Sequence, residues 1–326
     1  MSMRWGMTVP LGGIPLSEHA AAFSALGDAG FTDLWTSEVA GSDAFTPLTL
    51  AAAWAPQFRL GTAIAPVFTR GPGLLAMTAA ALAEAAPGRF QLGIGASSPV
   101  VAGDWNAAEF TRPFQRSRDV LRFLRAALAG EIVDQEFETF AVRRFRLERV
   151  PTTPPQILLA ALRPGMLRLA AAEADGVILN WLSPADVTTA LAEVKTDKPG
   201  FDVAARIFVC PTDDAEHSRR VGRRMIAAYL TVPAYAEFHR WLGRADILAP
   251  MWQAWSSGDR KAALAAIPDA VVDDLIVHGT PAECREKVEA YVAAGITVPA
   301  MALLPTPALD SGDARAILDV LTALGR

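Results

Sequence analysis

Eight short apolar or β-branched runs, each followed by a longer stretch of helical periodicity, predict an α/β protein built as a closed (β/α)8 TIM barrel. Two further observations favour the barrel over an open, doubly wound sheet. The chain has 326 residues, enough for eight strand–helix units with room for insertions. The run Gly93-Ile94-Gly95-Ala96-Ser97-Ser98 lacks the third glycine of a dinucleotide-binding turn and does not lead straight into a helix.

The elements follow in order. Residues 3–9 read as a buried strand and 16–29 as its helix, stopped by Gly30. Strand 31–37 pairs with helix 44–54, and strand 58–65 with helix 72–86, which ends at Pro87-Gly88. Strand 89–95 precedes helix 113–129, where Leu121, Leu124 and Leu128 share one face and Arg118, Arg122 and Arg125 lie elsewhere. Gly130 stands where that helix needs its cap. Strands 155–161, 176–181, 206–210 and 298–304 complete the set, with helices over 164–174, 185–194, 213–230 and 314–324. Thr280-Pro281-Ala282-Glu283 forms a capping box with proline at the first helical position, starting a helix to about Ala294.

Two segments are longer than connections require: 97–112 after strand four, and 232–277 between strands seven and eight. Both are expected as insertions. The second carries Tyr235, Phe238, Trp241, Trp252 and Trp255, whose spacing reads as helix packing rather than a ligand cage. No linker or charge block divides the chain, so residues 1–326 are expected to form one domain.

Composition narrows the function classes. With 52% hydrophobic and 20% charged residues the chain fills a large core and does not read as disordered. A net charge of −5 offers no basic surface for nucleic acid. Cys210 and Cys284 are too few for a disulfide scaffold and suit a reducing compartment. His19, His217, His239 and His278 show no metal-ligand spacing, so no metal site is expected. The apolar run after Met1-Ser2-Met3-Arg4 stops at Pro10-Leu11-Gly12-Gly13, too soon for an export signal. Other apolar runs break off before the roughly 18 residues a membrane span needs. The expectation is a soluble, cytoplasmic protein acting on a small molecule, without a nucleic-acid or membrane partner. Neither G-x-x-x-x-G-K-[ST] nor G-x-S-x-G occurs, which argues against a nucleotide triphosphatase and an α/β-hydrolase.

In such a barrel, ligands meet the loops after the strand carboxyl ends. Glu38 follows the second strand and reaches that rim. It reads equally as a coenzyme contact and as an acid tied to backbone amides, or capping the helix near Phe45. Arg163-Pro164-Gly165 joins the fifth strand to its helix. Proline in the first turn leaves neighbouring amides free, and the arginine adds a cation beside the positive helix end, a combination that holds a phosphate. A solvated loop arginine would look the same.

Five short motifs, in order, carry a resemblance. Gly30-Phe31-Thr32-Asp33-Leu34-Trp35-Thr36-Ser37-Glu38 with Phe45-Thr46-Pro47-Leu48 resembles the second strand and helix of luciferase-like flavin monooxygenases. Arg59-Leu60-Gly61-Thr62-Ala63-Ile64-Ala65-Pro66 and Gly88-Arg89-Phe90-Gln91-Leu92-Gly93-Ile94-Gly95 are similar to the same family. Leu159-Ala160-Ala161-Leu162-Arg163-Pro164, continuing through Ala174-Asp175-Gly176-Val177-Ile178-Leu179-Asn180-Trp181, looks like the branch that uses the deazaflavin coenzyme F-420. His278-Gly279-Thr280-Pro281 resembles the start of the family's last helix, so the likeness covers nearly the whole chain.

The resemblance implies a deazaflavin, or alternatively FMN, at the carboxyl-end mouth of the barrel. It implies a cis peptide between Ala63 and Ile64 behind the central ring, with Gly95, Ala96 and Ser97 flanking that ring. Ala161, Leu162 and Arg163 would lie near the phosphate, Asn180, Trp181 and Leu182 along the tail, and Glu38 beside the coenzyme as the candidate catalytic acid. Some alcohol- and sugar-oxidising relatives carry histidine directly after the acid matching Glu38, where this chain has Val39. Their catalytic glutamate after strand four aligns near Ser98. The implied activity is hydride transfer between F-420 and a small enone, alcohol or aldehyde. An FMN-dependent monooxygenase and a non-catalytic coenzyme-binding paralogue stand as alternatives. Relatives are often homodimers, and no exposed apolar stripe in the sequence decides that point.

Overall fold

The computed structural model describes residues 4–326. The start Met1-Ser2-Met3, and with it the first residue of the expected strand 3–9, lies outside the described residues. Eight parallel strands close on themselves: β1 (Gly6–Val9), β2 (Asp33–Thr36), β3 (Arg59–Thr62), β4 (Phe90–Gly95), β5 (Gln156–Ala160), β6 (Gly176–Asn180), β7 (Asp202–Pro211) and β8 (Val298–Leu303). Each pairs with its successor and β8 returns to β1. The expected barrel is therefore present. Around it run α1 (His19–Asp28), α2 (Thr46–Trp54), α3 (Pro72–Ala85), α4 (Pro113–Leu128), α5 (Pro164–Glu173), α6 (Pro184–Leu191) and α7 (Ala215–Leu230). Helix Pro281–Ala293 precedes β8, with the expected Thr280–Glu283 capping box, and Ala314–Ala323 follows it.

Strand alternation divides the apolar residues between two cores. On β7, Ala205, Ile207 and Val209 face the helices, where they join the main core. Ala204 faces the bore and packs with Leu158, Ile178, Val298 and Ala300 around Trp35. The Trp35 ring and the adjoining strands leave no room for a side chain at two inner positions. A Cβ at Gly61 would lie 2.4 Å from the ring, and one at Gly93 would lie 1.9 Å from the Thr62 carbonyl oxygen. Overpacking of this kind costs about 1–3 kcal/mol, which explains glycine at both positions.

Below Trp35 the bore is closed by polar groups. The Arg4 guanidinium donates to Asp33 (Nε to Oδ1 3.0 Å), Asp202 (2.6 Å) and Gln91 (2.7 Å). Gln91 in turn donates to Gln156 (2.7 Å) and Asp202 (2.6 Å). Burial alone would lower the Arg4 pKa, but the Asp33 and Asp202 carboxylates outweigh it and raise the value.

The departures from expectation have local causes. The third strand, expected over 58–65, breaks after Thr62 and resumes as Ala65–Pro66 against β4; the intervening Ala63–Ile64 peptide is cis, as the resemblance implied. Strand β7 starts at Asp202, not Arg206, because residues 202–206 pair with β6. Its early part is rich in alanine and carries a half-buried aspartate, Asp202, which hides the apolar signal. An unanticipated antiparallel hairpin, Val133–Glu136 with Ala141–Phe145, lies between α4 and β5. Its strands are mostly exposed, and it docks through Phe137, Phe140 and Phe145 onto Phe123 of α4.

Both insertions are present. The first contains a π-helical turn, Val100–Asp104. The second folds into helices Pro233–Trp241, Ala245–Ser256, Arg260–Ala265 and Asp269–Leu275, then a short strand, Val277–Gly279, on β7. Most of its aromatics pack as expected: Phe238 is fully buried with Trp241 stacked on it, and Trp252 Nε1 donates to the Leu230 carbonyl (2.8 Å). Among the described residues, no helix is long and apolar enough to cross a membrane.

Candidate functional site

The carboxyl ends of the strands open into a cavity of about 800 Å³, within the size range of small-molecule sites and at the end of the barrel where ligands bind. One wall is made of backbone and small side chains. Ala63 and Ile64 follow β3, Gly95 and Ala96 end β4 and follow it, and Ala160 and Ala161 end β5 and follow it. A Cβ at Gly95 would lie 2.9 Å from that of Ala160 and 3.2 Å from Ile64 Cδ1, so glycine keeps this wall flat. Ser97 continues it with a left-handed φ of 64°.

At the rim, α5 begins with Arg163 in extended conformation and Pro164 in the first helical position. Arg163 and Leu162 line the cavity, and no hydrogen bond or ion pair to the Arg163 side chain occurs among the described residues. A free guanidinium thus lies beside the first amides of α5, the arrangement expected from Arg163-Pro164-Gly165.

Glu38 also lines the cavity, but three donors hold it. Its Oε2 accepts from the Ala44 amide (2.8 Å); its Oε1 accepts from Thr69 Oγ1 (3.3 Å) and pairs with Arg70. The reading of an acid tied to backbone is thus present, whereas Glu38 does not cap α2, whose first amides bond to another residue. Asp43 Oδ1 accepts from the amides of Phe45 (2.8 Å) and Thr46 (2.9 Å). Burial would raise the Asp43 pKa; the bonds from Thr46 and Phe45, with Arg70 nearby, outweigh it and lower the value.

The wall opposite β3 comes from β6, β7 and α7 with the helix after it. Asn180 ends β6 and lines the cavity as expected. Trp181 and Leu182 do not. Trp181, with φ 56°, turns into packing against Phe208 (ring centroids 4.2 Å apart) and Tyr229 (5.0 Å). Leu182 is buried in the main core, and its carbonyl accepts from the Tyr291 hydroxyl (3.0 Å).

Three residues that the sequence reading did not assign to the site, Arg206, Tyr229 and Tyr235, stand there instead. Arg206 points inward two positions above Ala204; the signal was an arginine on the inner face of a strand, concealed by placing it at the strand's start. Its Nε is buried without a hydrogen-bond partner, and its guanidinium lies 4.8 Å from the Phe208 ring centroid. Asn180 Nδ2 donates to the Tyr235 hydroxyl (3.1 Å), while Asn180 Oδ1 is buried and unpartnered. Burial pushes the Tyr235 pKa up to about 12, so the phenol keeps its proton across the working range. Tyr235, read as packing from its spacing, belongs to the cavity.

Comparison with known proteins places this geometry in context. A family model described as luciferase-like monooxygenase matches residues 3–298. A Mycobacterium tuberculosis protein provisionally named coenzyme F420-dependent oxidoreductase is 28% identical over 319 residues, covering 88% of this chain and 91% of that protein. The 5,10-methylenetetrahydromethanopterin reductase of Archaeoglobus fulgidus is 26% identical over 282 residues, covering 83% and 84% of the two chains. The solved coenzyme F420-dependent tetrahydromethanopterin reductase from Methanopyrus kandleri superposes with a TM-score of 0.77 at 20% identity, covering 100% of this chain and 98% of that one.

Proposed function

This chain belongs to the luciferase-like monooxygenase family, and on that premise we propose that it is an F-420-dependent oxidoreductase. It would pass a hydride between the deazaflavin and a small organic molecule of the enone, alcohol or aldehyde class. The observation that carries the reading is the cavity at the barrel mouth, with a flat wall on one side and a free arginine at a helix start on its rim. The F420-dependent relatives named above support the choice of coenzyme. In this reading residues 1–326 form one domain, working in the cytoplasm.

The lining fits a planar ring with an anionic tail. Ala63, Gly95, Ala96 and Ser97, with Ile64 beside them, offer an apolar surface of backbone and mostly small side chains, and Arg163, beside Ala161 and Leu162, offers the charge for a phosphate. Bound there, the coenzyme supplies a ring carbon that accepts or releases a hydride. The protein's part is to hold donor and acceptor carbons about 3–3.5 Å apart and to keep water out. Glu38, engaged by Arg70, Thr69 and Ala44, is a positioning residue in this scheme; the accompanying proton travels through water or the substrate.

Incubation of the purified protein with F-420 and with FMN, followed by desalting and absorbance of the retained ring, tests the reading. Retention of F-420 is expected. Retention of FMN alone would favour the monooxygenase alternative, and retention of neither would overturn both. Arg163→Ala should weaken F-420 binding about tenfold or more without altering the melting temperature; unchanged affinity removes Arg163 from the phosphate site.

A further inference from the structure

We propose that Arg206 is the anchor for a carboxylate on the second reactant, so that the substrate is a small organic acid. The inference rests on the hydride-transfer reading and names its substrate class. Four observations converge on it. Arg206 lines the cavity, yet no hydrogen bond or ion pair to its side chain occurs among the described residues, and its Nε is buried unpartnered. A buried N–H without an acceptor is unfavourable, and an anion bound to this half-buried guanidinium supplies the missing acceptor.

The acid in the cavity lining does not supply the anion: Glu38 is already matched with Arg70. Position separates Arg206 from the coenzyme wall. β3 and β7 stand four apart in a ring of eight, so Arg206 faces Ala63 and Ile64 across the bore. A planar ring against that wall leaves its open face toward Arg206. The coenzyme's own anionic tail has Arg163 at the rim.

The neighbours of Arg206 complete a receptor for a carboxylate. Asn180 Nδ2 donates to the Tyr235 hydroxyl, which leaves the phenolic proton free to donate to a ligand. The Phe208 ring lies against the guanidinium and supports it from one side. A planar fork and a hydroxyl donor suit the two oxygens of a carboxylate better than the single oxygen of a ketone or alcohol.

Benzoate and benzamide test this directly, because they match in ring and size and differ in charge. Each is titrated calorimetrically into the protein, with and without F-420, and into Arg206→Met. The wild type should bind benzoate saturably and about tenfold or more tighter than benzamide. Arg206→Met should lose that preference while its F-420 affinity and melting temperature stay at wild-type values. The anchor is overturned by equal binding of both probes, by the absence of saturable benzoate binding, or by a preference that survives in Arg206→Met. Lost F-420 affinity in the variant also overturns it, by assigning the guanidinium to the coenzyme. Should Arg206→Met fail to fold, Arg206→Gln gives the same comparison. A benzoate preference in protein that takes up neither F-420 nor FMN keeps the anchor and sinks the hydride-transfer reading; F-420 uptake without the preference does the reverse.

Discussion

At the amino-terminal end of the bore Arg4 is surrounded by acceptors, Asp33, Asp202 and Gln91, and Gln91 carries the network on to Gln156. At the carboxyl end Arg206, on the same inner surface, has an aromatic ring beside it and no acceptor. Both ends belong to one closed sheet, with Trp35 between them. The difference teaches where the barrel's polar groups are matched by its own residues and where they are left open to the cavity. Buried polar groups that close on one another rigidify a fold, and those left open mark the place for a ligand.

The sharpest way to break this comparison is to remove each arginine in turn. Arg4→Met leaves Asp33 and Asp202 without their cation, and Asp33 is 1% exposed; a loss of about 3–5 kcal/mol in urea unfolding is expected. Arg206→Met should change stability by no more than about 0.5 kcal/mol, in either direction. Equal losses would mean that the mouth arginine also has a structural partner.

His239, in the helix that carries Tyr235, provides a second measure of the open end. Both ring nitrogens are buried without a well-formed hydrogen bond among the described residues; burial, with Arg244 adding to it, outweighs Asp186 and the Trp181 backbone and lowers its pKa to about 4. The unfolded chain therefore takes up this proton first as the pH falls. The stability tied to neutral His239 is full above about pH 6.5 and is lost down to about pH 4, a change of about 3 kcal/mol. Unfolding of wild type and His239→Leu across that range should show the slope in the wild type and a flatter curve in the variant. A wild-type profile as flat as the variant's would refute it.

The smallest effect belongs to an acid near the mouth that is already matched. Asp43 has its pKa lowered and so contributes stability that is present above the ordinary carboxylate pKa and lost as pH falls through the depressed value. Because its side chain is 40% exposed, Asp43→Asn, which keeps an acceptor for the Phe45 and Thr46 amides, should cost about 0.5 kcal/mol or less at neutral pH. A larger loss would make Arg70–Asp43 a structural pair like those at the floor.

The barrel was legible because most ring strands are compact apolar runs bounded by turn residues, and because α4 shows a clear division between its leucine and arginine faces. The hairpin after α4 was not, since its strands face solvent and carry arginine and glutamate where alternation is usually sought. On the flat wall, Gly95 and Ala96 were legible through resemblance alone, because small residues carry no chemistry of their own. Trp181 misled, since sequence order placed it beside Asn180 while its left-handed backbone turned it into the core. Tyr235 was hidden by its company: it stands among aromatics that do pack, and three-dimensional placement alone separates it from them. Arg206 could have been found by carrying the two-residue alternation of β7 back to Asp202.

Tyr235 reaches the pocket from a segment that lies outside the repeating strand–helix ring and is tied to it through contacts such as Arg244 with Asp186. The ring therefore keeps its geometry while this appended piece writes part of the pocket's chemistry. Exchanging the appended piece would leave the flat wall in place and change what faces it across the mouth.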